Sequence, residues 1–178
     1  MAFRAARLLA VAVFACGLVV VPAPAGAAPD VPAAAMRSLE QGVLSDLNAF
    51  RRQHGLGPLR LSTRLAAAAR QHSNEMAERG YFSHDSYGGG SFDRRIARFY
   101  PVGRSRFWSV GENLLWSSPD VDAGRAVDMW INSPEHKRNM LNPRWREIGL
   151  SAVHVSAAGG AYGGREVTIV TTDFGVRR

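Results

Sequence analysis

The run Ile148-Gly149-Leu150-Ser151-Ala152-Val153-His154-Val155 is followed, after the glycine-rich residues 157–164, by Glu166-Val167-Thr168-Ile169-Val170-Thr171-Thr172-Asp173-Phe174. Both runs are rich in β-branched residues that suit a pleated surface, and a short glycine-rich connection between them predicts an antiparallel pair. The chain upstream reads differently. Leu39, Val43, Leu47 and Phe50 recur at helical spacing, predicting an amphipathic helix over 38–53 that stops at His54-Gly55-Leu56-Gly57-Pro58. Ser62 is placed to cap a second helix whose stripe of Leu65, Ala66, Ala69, Met76 and Ala77 allows close approach, and Gly80 to end it in the left-handed conformation. Shorter helices are predicted over 91–99, started by Ser91, over 121–132, and over 133–141 with Pro134 in the first turn. Gly88-Gly89-Gly90 is a loop, and a further strand covers 110–116. The class is α+β, with helices flanking a small, mainly antiparallel sheet and no internal repeat.

The N-terminus reads as an export signal. Arg4 and Arg7 supply a positive start, residues 8–21 are apolar, and Ala25-Gly26-Ala27-Ala28 offers small residues for cleavage. About fourteen apolar residues are short for a bilayer span, which needs about 20. The expected organisation is a signal peptide over 1–28, a flexible Ala/Pro-rich lead-in over 29–37 and one domain over 38–178. The alternatives are an uncleaved anchor, or a lipoprotein held through Cys16. Against the latter, Phe14 stands where a small residue is wanted. Cleavage removes the only cysteine, so packing has to hold the secreted domain without disulfides, and about 150 residues bury enough apolar surface for that.

The 22 basic residues are 21 arginines and Lys137, against 15 acidic residues, a net charge of +7. Arginine with abundant alanine reflects codon usage in part. The remaining excess concentrates in Arg94, Arg95, Arg98, Arg104 and Arg106, interleaved with Phe92, Phe99, Tyr100, Phe107 and Trp108. On an exported protein such a segment meets anionic wall polymer or lipid headgroups rather than nucleic acid, or is an ordinary solvated surface.

Three further segments are Gly80-Tyr81-Phe82-Ser83-His84, Gly111-Glu112-Asn113-Leu114-Leu115-Trp116 and Trp130-Ile131-Asn132-Ser133-Pro134-Glu135-His136. With Arg146-Glu147-Ile148-Gly149-Leu150 and Thr171-Thr172-Asp173-Phe174-Gly175 following in this order, the chain resembles a bacterial member of the CAP superfamily, which groups cysteine-rich secretory proteins, antigen 5 and pathogenesis-related proteins. The resemblance runs from about Leu39 to Gly175. It implies a three-layer α-β-α sandwich and a groove in which His84 and Glu112 take the places of the family's first site histidine and its facing acid; the export signal and the single set of elements predict a secreted monomer. The lack of cysteine in the domain departs from the disulfide-rich eukaryotic relatives.

Read from the residues, His84 lies in a loop just past a helix-ending glycine and is either a groove ligand or merely exposed. Glu112 opens an apolar strand, where its carboxylate needs a partner. His136 follows the capping position Ser133, with Asn139 one turn on to orient its ring or bond backbone. Glu135 is adjacent to His136 and points about 100° away on a regular helix. His54 and His72 are expected to be structural or exposed. If they converge, His84, Glu112, Glu135 and His136 make a mixed nitrogen and oxygen shell for a zinc-like divalent ion, although no short ligand spacing is present.

Two functions follow. One is a secreted module that binds lipid, a cell-wall component or a partner protein, assisted by the ion. The other is a metal-dependent extracellular hydrolase, protease-like, in which Glu112 or His136 handles protons. No nucleophile elbow, dinucleotide fingerprint or phosphate-binding loop occurs, and no nucleic acid partner is expected.

Overall fold

The structure, a computed structural model, describes residues 33–178; the expected signal peptide, its cleavage site and Cys16 lie outside the described residues. Helix α1 spans Ala33–Gln53, so the helical pattern extends five residues ahead of the expected start at 38 into what reads as lead-in. The sequence Ala33-Ala34-Ala35-Met36 has high helix propensity and Met36 packs on the core, which explains the extension. Strand β1, Arg60–Leu61, helix α2, Thr63–Arg79, and helix α3, Phe92–Phe99, come next. Strand β2 spans Trp108–Ser117, helix α4 Ala123–Ile131 and helix α5 Pro134–Met140. Strands β3, Glu147–Ala158, and β4, Arg165–Arg177, follow, joined by a turn of 3₁₀ helix at Gly160–Tyr162.

The four strands form one sheet in the order β1-β3-β4-β2. The expected hairpin is the β3/β4 pair, and β2 runs antiparallel along the other side of β4 with Glu112 opposite Asp173. β1 pairs in parallel with Glu147 and Ile148 of β3 and was not legible in the sequence, because two exposed residues carry no period.

Helices lie on both faces, as the sandwich requires. On one face Leu39, Val43 and Leu47 of α1 and Val127 and Trp130 of α4 meet Ile148, Leu150, Val170 and Phe174 of the sheet. On the other, Leu65 and Ala68 of α2 pack with Ile96 and Tyr100, and Met76 packs with Leu114 and Ile169. Each of these large apolar side chains contributes about 1.5–3 kcal/mol by leaving water. The caps at either end of α2 are as expected: Ser62 Oγ accepts from Leu65 N at 3.5 Å, and Gly80 is left-handed at φ 66°. Ser91 and Ser133 hold the N-cap positions of their helices without a side-chain capping bond, and Ser133 is used otherwise.

The α2 face of the sheet is not apolar throughout. Towards β2 it carries Glu112, Thr171 and Asp173, all buried, beneath His72 and Ser73 of α2 and Arg95 of α3. A domain of this size buries so many polar groups only where they are bonded to one another or serve a site.

Candidate binding groove

β2 is an edge strand, and its outer carbonyls are what the flanking motifs satisfy. Asn139 Nδ2 donates to the Glu112 carbonyl at 3.1 Å, and Trp130 Nε1 donates to the Leu114 carbonyl at 3.1 Å. Residues two apart on a strand present their carbonyls to the same edge, so one side chain from α5 and one from α4 cover consecutive edge positions. Asn139 Nδ2 also reaches Asn113 Oδ1 at 2.9 Å, and Asn113 Nδ2 donates to the His136 carbonyl at 3.2 Å. These bonds fix α5 against β2. Gly111 is required there, since a Cβ at that position would lie 2.8 Å from both Asn139 Oδ1 and Trp145 Cζ2.

The groove opens at this edge, with a volume of about 260 Å³, between the His84 loop on one side and α5 on the other. Phe92, Glu112, Asn113 and His136 are among its walls. Both Glu112 oxygens accept bonds. His84 Nδ1 lies 2.8 Å from Glu112 Oε1, and a guanidinium nitrogen of Arg95 bonds Oε2. The carboxylate can only accept, so His84 donates through Nδ1–H and keeps Nε2 for the groove. The bond to Glu112, the larger influence, raises the His84 pKa above its ordinary value against the effect of burial.

Two neighbouring carbonyls clamp the His84 loop from below. His72 Nε2 donates to the Ser83 carbonyl at 2.8 Å, and Arg95 donates to the His84 carbonyl at 2.8 Å. His72 is fully buried, 3.9 Å from Glu112 Oε1, and burial lowers its pKa, so it is neutral at pH 7. It is structural, as the sequence allowed, but its place directly beneath the site was not foreseen. Its position three residues before Glu75 on α2 offered no signal distinguishing it from an exposed helical histidine. Arg95 was read as one of a surface cluster; the structure corrects this, since its side chain is 1 % exposed. The signal available was position: Arg95 and Ile96 lie on the face of α3 that packs on α2 and the sheet, while Arg94 and Arg98 face outward.

On α5, His136 Nδ1 lies 2.7 Å from Ser133 Oγ, so Ser133 rather than Asn139 orients the ring. Burial, with the charge of His84 adding to it, lowers the His136 pKa. Here too Nε2 is the ring nitrogen left without a protein partner among the described residues. Glu135 lines the rim, but its side chain is 87 % exposed, and its nearest cation is Arg138 at 4.0 Å. The structure therefore brings His84, Glu112 and His136 to one groove and points Glu135 towards solvent, as the spacing on a regular helix implies.

Among the described residues no three His, Cys, Asp or Glu side chains are arranged to hold a metal ion. Each Glu112 oxygen already accepts one bond, Oε1 from His84 and Oε2 from the buried Arg95 guanidinium. The His84 and His136 Nε2 atoms are the imidazole donors left without a protein partner among the described residues.

A second, apolar groove of about 240 Å³ adjoins the first and is lined by Phe82, Leu114, Trp116, Met129 and Trp130, with His136 as the wall common to both. Phe82 and Met129 are among the exposed large apolar side chains of the protein.

The profile of the cysteine-rich secretory protein family, CAP, matches residues 44–174. An uncharacterized membrane protein of Bacillus subtilis, YlbC, is 34% identical over 111 residues, which is 62% of this chain and 30% of that protein. A crystal structure of an extracellular protein containing an SCP domain from Bacillus anthracis superposes with a TM-score of 0.60 at 26% identity, over 85% of this chain and 45% of that one. An outer surface protein of Borrelia burgdorferi shares the fold with a TM-score of 0.61 at 20% identity, over 78% of this chain and 92% of its own. The chain thus spans less than half the length of these two Bacillus proteins.

Proposed function

This chain belongs to the cysteine-rich secretory protein (CAP) family, and from that premise we propose that it is a secreted binding module whose groove takes a lipid, a cell-wall component or a partner protein. The observation that carries the reading is the way both imidazoles are held. Each has Nδ1 tied to a protein oxygen and Nε2 left over, while each oxygen of the buried Glu112 carboxylate already accepts a bond. Such a site presents fixed polar atoms to a ligand, and its uncommitted carboxylate, Glu135, lies at the solvent-exposed rim, which favours binding over turnover. The adjoining apolar groove suits a ligand that carries an apolar group beside its polar one.

A divalent ion of the zinc type has a more modest place in this reading than a four-residue shell would give it. His84 Nε2 and His136 Nε2 are the donors for it, and Glu112 acts on it only through His84 Nδ1. Such an ion would supply a positive centre for ligand oxygens.

The test compares the exported protein with His84→Ala, His136→Ala and the double variant for retention on lipid vesicles and on purified wall fragments. The double variant should lose retention on at least one of these while melting cooperatively. Retention equal to wild type on every matrix would sink the groove as the binding site. Thermal melts with and without zinc at neutral and mildly acidic pH test the ion separately. A zinc-dependent rise at neutral pH that disappears on acidification is expected, because protons compete for the imidazoles; identical melts in all four conditions remove the ion and leave the module.

A further inference from the structure

The segment joining α3 to β2 is not used by the groove. It crosses the surface from Tyr100 to Phe107 and is tied at both ends. Trp108 Nε1 donates to the Tyr100 carbonyl at 2.8 Å, closing the base of the loop. Phe107 and Arg178 exchange two backbone hydrogen bonds of 3.0 Å. Within the loop, Ser105 N donates to the Val102 carbonyl at 3.1 Å across a turn containing Gly103 at φ 58°. Tyr100 itself is buried, with the Arg177 guanidinium 3.8 Å from its ring centroid.

This well-braced loop holds two apolar side chains out of the core: Val102 is 49% exposed and Phe107 39%. Basic groups surround them. Arg104 and Arg106 in the loop are exposed, as are Arg94 and Arg98, one turn apart on the outward face of α3, and the Arg178 guanidinium lies 6.0 Å from the Phe107 ring centroid. The only acidic residue between 92 and 108 is Asp93. Cations alone would serve a soluble anionic polymer. Apolar side chains projecting between them serve an interface with an anionic plane and an apolar layer just beneath it.

We propose that the 100–107 loop and the outward face of α3 dock this protein onto an anionic lipid bilayer. Arg94, Arg98, Arg104 and Arg106 lie at phosphate level, and Phe107 and Val102 enter the boundary between headgroups and acyl chains. The surface uses none of the groove side chains, so it stands whether or not the groove binds a ligand.

The experiment is co-sedimentation of the exported protein with vesicles of phosphatidylglycerol and phosphatidylcholine in equal parts, with phosphatidylcholine vesicles and soluble polyphosphate as the other arms. Binding is expected on the mixed vesicles, absent on phosphatidylcholine alone, and weaker at physiological than at low ionic strength. Arg104→Gln combined with Arg106→Gln should lower partitioning about tenfold or more, since each basic side chain near such a surface is worth roughly fivefold. Val102→Ser and Phe107→Ser should each weaken it several-fold without changing retention on polyphosphate; Val102 is surface-exposed, so its variant keeps the test valid if Phe107→Ser perturbs the loop. Equal binding to phosphatidylcholine, or mixed-vesicle binding that both serine variants leave unchanged, overturns the proposal. The second result with strong polyphosphate binding would make this a surface for anionic polymer.

Discussion

Glu112 and Asp173 face each other across β2 and β4, two carboxyl groups directly opposite in an antiparallel pair beneath the groove. Asp173 is fully buried and neither of its oxygens has a hydrogen-bond partner. Burial first, and the Glu112 charge second, push its pKa well above the ordinary carboxylate range.

Asp173→Asn tests that shift. A carboxyl with a raised folded-state pKa contributes stability that is fully present below the ordinary value of 3.8 and lost as pH rises through the folded value. The amide keeps the shape without that loss. Its melting temperature relative to wild type should therefore rise from pH 4 towards neutrality. A constant difference across that range would show that Asp173 is ionised in the fold.

Arg95 is the counter-charge of Glu112, and both side chains are 1 % exposed. Removing one partner of a buried ion pair leaves the other charged and unpaired, at a cost of about 3–5 kcal/mol. Arg95→Met should lose that much in chemical denaturation, and adding Glu112→Gln should recover part of it. Arg95→Lys should not restore the wild-type value, because one ammonium lacks the fork that spans Glu112 and the His84 carbonyl.

His72 sets the acid limit of the α2 face. Its folded pKa lies below the ordinary 6.5, so the unfolded chain takes up a proton that the folded chain refuses. Stability from this group is present above about 6.5 and is lost as pH falls below it. His136 acts in the same direction and His84, with its raised pKa, in the opposite one. His72→Gln keeps a donor for the Ser83 carbonyl without titrating, so its melting temperature between pH 7 and 5 should fall less than that of wild type. Parallel curves would remove His72 as the group responsible.

Gly149 in β3 sits against the first turn of α2. A Cβ there would lie 2.0 Å from the Leu65 carbonyl carbon and 2.1 Å from Ala66 N, both backbone atoms that move only with the helix. Gly149→Ala should cost about 3 kcal/mol or more, at the upper end of overpacking, read as a lower denaturation midpoint.

The sequence by itself determined the helices with a full apolar stripe, the β3/β4 pair, and the glycine that ends α2, because each rests on a local period or a backbone preference that neighbouring residues express on their own. Leu39, Val43 and Leu47 could be assigned to a core, and His84, Glu112 and His136 to a groove, from residue order and family likeness. Only the tertiary structure decided what those groove residues are bonded to. Arg95, His72 and Asp173 come from α3, α2 and β4, far from Glu112 in the chain, and their contact depends on how two helices settle on the sheet. Whether a carboxylate is a free ligand or an engaged acceptor depends on which cation the packing delivers to it, and the fold delivers the guanidinium of Arg95 to Glu112.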